Sequence, residues 1–396
     1  MNINRDIENK RKEKVKLPIP QLVFFGVKLL LILLLLFGFH FTKINLAGPV
    51  YLYDALLLLL TFIASLGLRR LSEKNIILFL LLSLIYLVFS FVFNDAALYV
   101  IRQFMIAGYL LLTYIIFQSI ASKQDDLLDF IFSLSKWSFI LQMLFLIFSL
   151  LKGKSLFGDF NYLSPVSVML LPVYAARVLT YADTVLKKVM QLGFILFVST
   201  TLGHASAFLA VIMTIFGFFV FKINRKQLLI SLGIIAMVLV SFYAVLPQFR
   251  DANASWRLFY WGIGIEKITD SYFMGNGFGV PYINDEEITT MINIFGNDND
   301  FLDSPKERYV KAYHNSFLTL MFNMGICSFL LFSPFIRAVI FLKEGGENPK
   351  TRFLVLGFVG SATWCFFNVI LELPHSSMLF WLLFLLTSSK LKKALS

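Results

Sequence analysis

Charge is scarce in this 396-residue chain: only 15% of its residues are Asp, Glu, Lys or Arg. Soluble globular proteins carry about 25%, so an ordinary cytoplasmic globular enzyme is excluded. Cysteine is almost missing, with Cys327 and Cys365 alone. Both sit inside apolar runs at different depths, which excludes a disulfide framework and leaves them as small core residues. Low-complexity tracts and internal repeats are lacking apart from leucine runs. What fills the chain instead is apolar: 58% hydrophobic residues, 16% aromatic and a mean hydropathy of +0.77. That content excludes disorder. The length by itself would suggest two or three domains, but the long apolar runs indicate one all-α integral membrane bundle.

Apolar stretches of spanning or near-spanning length fall at 21–41, 50–68, 76–93, 98–118, 130–151, 162–180, 187–202, 204–221, 227–246, 314–342, 351–372 and 376–389. A span needs about 20 residues, so the seventh and last are short. Leu202-Gly203-His204 divides the seventh from the eighth. The expectation is about 12 transmembrane helices.

Basic residues set the orientation. Residues 1–20 hold Arg5, Lys10, Arg11, Lys12, Lys14 and Lys16. Alternate connections hold Arg69-Arg70, Lys187-Lys188, Lys222 with Arg225 and Lys226, Lys350 with Arg352, and finally Lys390, Lys392 and Lys393. The intervening connections are poor in them, which predicts cytoplasmic termini. The first apolar run is too long for a removable signal peptide and lacks its small-residue cleavage site. The net charge of +11 is then a record of topology, and nucleic acid is not an expected partner. The outer segments are net acidic, so any anion bound there needs a few well-placed cations.

The chain accordingly divides into a basic cytoplasmic tail (1–20), helices one to nine (21–247), a large extracytoplasmic loop (248–313), helices ten to twelve (314–389) and a cytoplasmic tail (390–396). A loop of that length in a compact bundle is usually functional. Its stretch from Ser255 to Tyr272 reads as an amphipathic helix with Leu258, Trp261, Ile265 and Ile268 at helical spacing and Ser255 as N-cap.

Polar groups in apolar surroundings are the candidates for chemistry. Arg102 lies about one turn into span four, where it must snorkel, pair or face a wet cavity; Lys28 in span one is placed to snorkel. The histidines, His40, His204, His314 and His375, all fall at predicted outer ends or turns, without the spacing of a metal site. Asp298-Asn299-Asp300 has the form of a D-x-D metal motif but reads more readily as a turn. His314 opens span ten after Tyr313, at the border of water and bundle, where an imidazole either caps the interface or accepts a proton near neutral pH.

Several segments together resemble one family. Tyr313-His314-Asn315-Ser316-Phe317-Leu318 with Gly325-Ile326 resembles the H-N-x-x-L…G-I signature of the O-antigen ligase and O-antigen polymerase family. Arg257, Trp261 and Gly275-Asn276-Gly277-Phe278-Gly279 resemble its R…W…G-x-G-x-G loop stretch, and Gly158-Asp159-Phe160-Asn161 resembles its G-x-x-x-N lead-in to span six. The resemblance covers roughly residues 155–330 in motif, and the whole chain in layout. Two departures stand out. Thr201-Leu202-Gly203-His204-Ala205-Ser206 places His204 where the family has an arginine, and Asn323 lies near the position of its usual acidic residue.

The resemblance implies a GT-C-like bundle in the bacterial cytoplasmic (inner) membrane, acting as a metal-independent and cofactor-free glycosyltransferase. Such an enzyme moves a glycan from undecaprenyl diphosphate to an acceptor hydroxyl on the outer face. It implies His314 as the general base and Arg257 as a diphosphate ligand. His204, Asn315, Arg102, Gly275 and Gly277 complete the expected substrate-binding set, with Arg102 or Arg250 standing in for the family's second arginine. The expected partners are the lipid-linked glycan, an acceptor glycan or glycolipid and the bilayer, with a flippase and a chain-length regulator as candidates. The leading expectation is a polysaccharide polymerase. A ligase passing finished glycan to lipid A core or another terminal acceptor is the alternative within the family. A glycolipid flippase or transporter is the alternative outside it, although such carriers usually show two related halves and midplane polar sites. A non-catalytic scaffold would leave Arg257 and His314 unexplained.

Overall fold

A computed structural model describes residues 19–47, 50–68, 71–94, 96–157, 159, 161–219, 237, 253–296, 306–344 and 348–395. Predicted span nine, Arg250, Arg69-Arg70, Gly158, Phe160 and the Asp298-Asn299-Asp300 run lie outside the described residues, apart from Met237.

Apolar runs become helices because no water is available in a bilayer to satisfy backbone groups left unpaired. The first eight helices are α1 (Ile19–Thr42), α2 (Leu52–Ser65), α3 (Lys74–Phe93), α4 (Ala97–Ser119), α5 (Gln124–Leu151), α6 (Pro165–Tyr181), α7 (Val185–Thr200) and α8 (Ala205–Phe219). The polar loop forms α9 (Asn253–Asp270), α10 (Asp285–Phe295) and α11 (Glu307–Val310). After it come α12 (Ser316–Met324), a 3-10 segment (Gly325–Phe332), α13 (Ser333–Lys343), α14 (Pro349–Phe366) and α15 (Pro374–Ala394). Five stretches are long and apolar enough to cross a membrane: Ile19–Gly38, Lys74–Phe93, Ala97–Ser119, Ala121–Leu151 and Ser316–Lys343. The chain is an all-α, multi-pass membrane protein; its short hairpin, β1 (Asn45–Ala47) with β2 (Val50–Tyr51), is a connector between α1 and α2.

Helix starts follow local chemistry. Ser164 caps α6 by accepting from the Ser167 N–H, with Pro165 at the first helical position. Asn348 accepts from Lys350 and Thr351 N–H at the start of α14, again with a proline next. Pro374 opens α15, which continues to Ala394 and is therefore longer than the predicted last span. Apolar around its middle, α15 is buried from Pro374 to Ser388 and packs against α1, α4, α13 and α14.

At one end of the bundle, salt bridges join separate helices: Lys350 to Asp129 at 2.7 Å, Lys390 to Asp125 at 2.5 Å, and both Lys392 and Arg337 to Glu73. Lys28 sits with its ammonium over the rings of Phe24 and Phe130, 4.3 and 5.4 Å from their centroids.

Predicted span ten is not one helix. Gly325 takes φ +53°, where a Cβ would lie 2.2 Å from the Phe273 carbonyl oxygen, so only glycine fits. The break frees backbone groups, and the loop satisfies them. Asn276 and Gly277 N–H donate to the Phe322 and Asn323 carbonyls at 2.7 and 3.0 Å, and Ile326 N–H donates to Phe273 at 2.8 Å. The loop also has an apolar core of its own, built from Tyr260, Ile263, Tyr282, Ile288 and Met291, which continues into Tyr313 and Phe322.

Candidate functional site

His314 sits on a tight turn. Its N–H donates to the Ala312 carbonyl at 2.8 Å, and its own φ of +51° lies in the left-handed region. A non-glycine residue there costs of order 1–3 kcal/mol, which the surroundings must impose. Asn315 then caps α12, its side-chain oxygen accepting from Phe317 and Leu318 N–H at 3.1 and 3.0 Å. In the H-N-x-x-L pattern the asparagine thus starts the helix and the histidine occupies the strained position before it.

The turn is clamped by α9. The Trp261 indole N–H donates to the Tyr313 carbonyl at 2.7 Å, and the Tyr260 hydroxyl donates to the Lys311 carbonyl at 2.6 Å. Gly264 lets the Tyr313 ring approach: a Cβ there would lie 3.0 Å from it. The same helix carries Trp256, whose ring meets the His314 imidazole edge-on at 5.4 Å, and the half-buried Arg257. Arg257 Nη1 lies 3.4 Å from the Phe367 carbonyl oxygen, a long hydrogen bond. The helix begins at Asn253, so Ser255 lies inside its first turn and is not the N-cap. Tyr260 and Ile263 bury into the loop core, whereas Trp261, Ile265 and Ile268 line a cavity.

His204 lies immediately before α8, after Gly203 at φ +74°. Its ring is 5.3 Å from that of Tyr162. The preceding turn is held by Asn161, whose side-chain amide donates to the Ser155 carbonyl at 2.8 Å and whose carbonyl accepts from Gln142 at 2.6 Å. The lead-in to α6 and the turn before α8 therefore meet through Tyr162 and His204. Arg257 is within electrostatic reach of both imidazoles. Burial, reinforced by Arg257, lowers His204 from its usual 6.5 to about 4. Burial also lowers His314 from 6.5 to about 4, with Arg257, Lys311 and His204 adding to the effect. Both shifts favour the neutral imidazole over the charged one.

The turn between α14 and α15 ties these parts together. The Asn368 amide donates to Ser206 Oγ at 2.9 Å, and the Ser316 hydroxyl lies 3.1 Å from the Asn368 carbonyl. Ser316 Oγ is also 2.6 Å from Glu372 Oε2, and accepts from the Ile370 and Leu371 N–H groups. Burial pushes the Glu372 carboxyl up, opposed by the hydrogen bond from Ser316. Asn368 and Glu372 escaped the sequence reading, although an acid at the end of an apolar run was a visible signal.

Beside the cluster lies a cavity of about 760 Å³ with almost wholly apolar walls. Leu209 and Met213 of α8, Trp261 and Ile265 of α9, and Phe335 and Phe366 form much of its wall. Asn315 and Phe367, the neighbours of His314 and Arg257, lie at its edge. Residues 189–333 match the family model described as O-antigen ligase. That stretch is similar to the O-antigen ligase family. No curated protein matches the chain. The matched stretch includes His204, Arg257, His314 and Asn315; it excludes Tyr162, whose ring meets His204, and Asn368 and Glu372, which bond Ser206 and Ser316.

Three other predicted site residues lie elsewhere. Gly275 and Gly277, at φ +86° and +77°, pass close to protein: a Cβ on Gly275 would meet Gly325 N at 2.5 Å, and one on Gly277 would meet Ser90 Oγ at 3.0 Å. They line a separate cavity of about 360 Å³ with Tyr86 and Phe89. Arg102 lines a third cavity with Asp54 and Lys306. It does not line the cavity beside Arg257.

Proposed function

We propose that this chain is a polysaccharide polymerase. It transfers a growing glycan from undecaprenyl diphosphate to a sugar hydroxyl of an acceptor on the outer face of the bacterial cytoplasmic membrane. Support comes from the similarity of residues 189–333 to the family described as O-antigen ligase. The observation that carries the reading is the electrostatic coupling of Arg257 to His204 and His314, next to a large apolar cavity lined by Asn315 and Phe367.

In this reading the hydrocarbon of the carrier lies along the apolar wall, and its diphosphate rests against the Arg257 guanidinium, whose forked donors suit phosphate oxygens. The acceptor hydroxyl attacks the anomeric carbon as the bond to the diphosphate breaks. The leaving group keeps the electron pair, and the hydroxyl proton passes to the neutral His314 ring. An imidazole near 4 is a weak base, but the diphosphate opposes the field of Arg257 and raises proton affinity when it arrives. Developing charge is thus met by a fixed cation in a site of low water content.

The test is to delete the chain's gene in its host and size the lipid-linked glycan, then restore it with wild-type, His314→Ala or Arg257→Ala protein. Single repeat units on the acceptor are expected from the deletion and from both variants, with normal amounts of each variant in the membrane. Long polymer stranded on the carrier would instead assign the ligase reaction, and single units held on the cytoplasmic side would assign a flippase. Normal polymer with both variants would overturn the catalytic reading altogether.

A further inference from the structure

Gln142 is a fully buried amide in the apolar helix α5. A polar side chain inside a spanning helix is costly unless bonded, and where one occurs it marks a task. Its bonds all go to one segment. Nε2 donates to the Asn161 carbonyl at 2.6 Å, while Oε1 accepts the Leu163 N–H at 2.9 Å and lies 3.0 Å from the Ser167 hydroxyl. The first two bonds hold the two peptide groups on either side of Tyr162. Peptide groups are planar, so fixing both sets φ and ψ of Tyr162 and, with them, the direction of its Cα–Cβ bond.

That direction leads to His204. The Tyr162 ring lies 5.3 Å from the imidazole and is tilted 41° to it. His204 follows a glycine at φ +74° on the turn before α8, within electrostatic reach of Arg257. An imidazole carries at least one N–H donor, and the donor points where the ring points. A ring packed beside it limits that direction. The start of α6 does not depend on Gln142, because the Ser164 cap and Pro165 already provide it.

We infer that Gln142 is a positioning residue for glycan transfer: through Tyr162 it holds the His204 imidazole so that an N–H reaches the donor diphosphate beside Arg257. The inference rests on the reading that places that diphosphate at Arg257.

The test uses full-length protein in detergent micelles and the lipid-linked repeat units extracted from the deletion host. Gln142→Met keeps the volume and gives up the bonds; Tyr162→Ala removes the ring and leaves the Gln142 bonds in place. Each should slow transfer about tenfold or more, as loss of a hydrogen bond to a charged group does. The double variant should be no slower than the slower single variant, because both act through one ring. Histidine ring NMR adds a readout that general damage would not move. Burial is the first cause of the low His204 titration, so it should rise from about 4 toward 6.5 in each single variant. A titration that stays at about 4, a wild-type rate in either variant, or slowing that multiplies in the double variant would overturn the inference. Gln142→Met protein that fails to fold would also overturn it, by showing that the work of the amide is structural. The titration is read without substrate. A wrong reaction, seen as normal polymer from His314→Ala and Arg257→Ala, is therefore told apart from a wrong role for Gln142.

Discussion

Replacing Arg257 by glutamine should do two things that can be measured apart. The first is loss of phosphate binding. Charge-assisted hydrogen bonds contribute about 1.5–3 kcal/mol, so affinity for a lipid diphosphate should fall roughly 10- to 150-fold. The second is relief of the two imidazoles. Arg257 lowers both, but burial is the larger cause in each. Removing the guanidinium should therefore return each ring by less than half of the interval between about 4 and 6.5. Histidine ring NMR across pH in the full chain would read this directly. The acid limb of glycan transfer should move up with the His314 titration. Arg257→Lys separates the effects: it keeps the charge, so the titrations stay low, but it loses the fork and with it part of the affinity. If His314 titrates identically in wild type and Arg257→Gln, the electrostatic link at the centre of this site is wrong.

Acid should destabilise the protein through the same rings. Each titrates near 6.5 when unfolded and near 4 when folded, so stability is full above 6.5 and lost as pH falls toward 4. The loss approaches roughly 3 kcal/mol per buried imidazole at about 1.4 kcal/mol per pKa unit. Melting temperatures at pH 7 and 5 should converge in His204→Gln/His314→Gln, and an unchanged gap would refute the assignment. Gly325→Ala must hold φ +53° and push against the Phe273 carbonyl, so a loss of about 2 kcal/mol or more is expected; a wild-type melting temperature would show that the loop is not seated there. Asn315→Ala removes the α12 cap and should cost about 1 kcal/mol, with Asn315→Asp largely restoring it in the same melt.

The apolar runs were legible because spanning helices need long stretches without charge. Of the predicted spans, 227–246 is outside the described residues apart from Met237, and each of the others contains a helix, although ends such as Val50–Tyr51 and residues 367–372 fall outside it. Arg257, His204 and His314 could be read as one site only through the resemblance, since nothing local brings three distant turns together. The break at Gly325 was hidden because its cause lies in the Phe273–Gly277 backbone, far upstream. The stripe of Trp261, Ile265 and Ile268 was visible, but periodicity alone cannot tell a wall of a cavity from a face of a core. The roles of Asn368 and Glu372 were hidden for the same reason as Gly325: their partners, Ser206 and Ser316, sit on other helices.

The turn from Phe367 to Glu372 bears on how the protein is made. It gives Arg257 a carbonyl, Ser206 an amide and Ser316 both an acid and two N–H groups. A nascent chain that has just completed the matched domain at residue 333 has none of these. It already holds the His314 turn against α9, but the contacts of Arg257, Ser206 and Ser316 with this later turn can form only once α14 and the turn are in place.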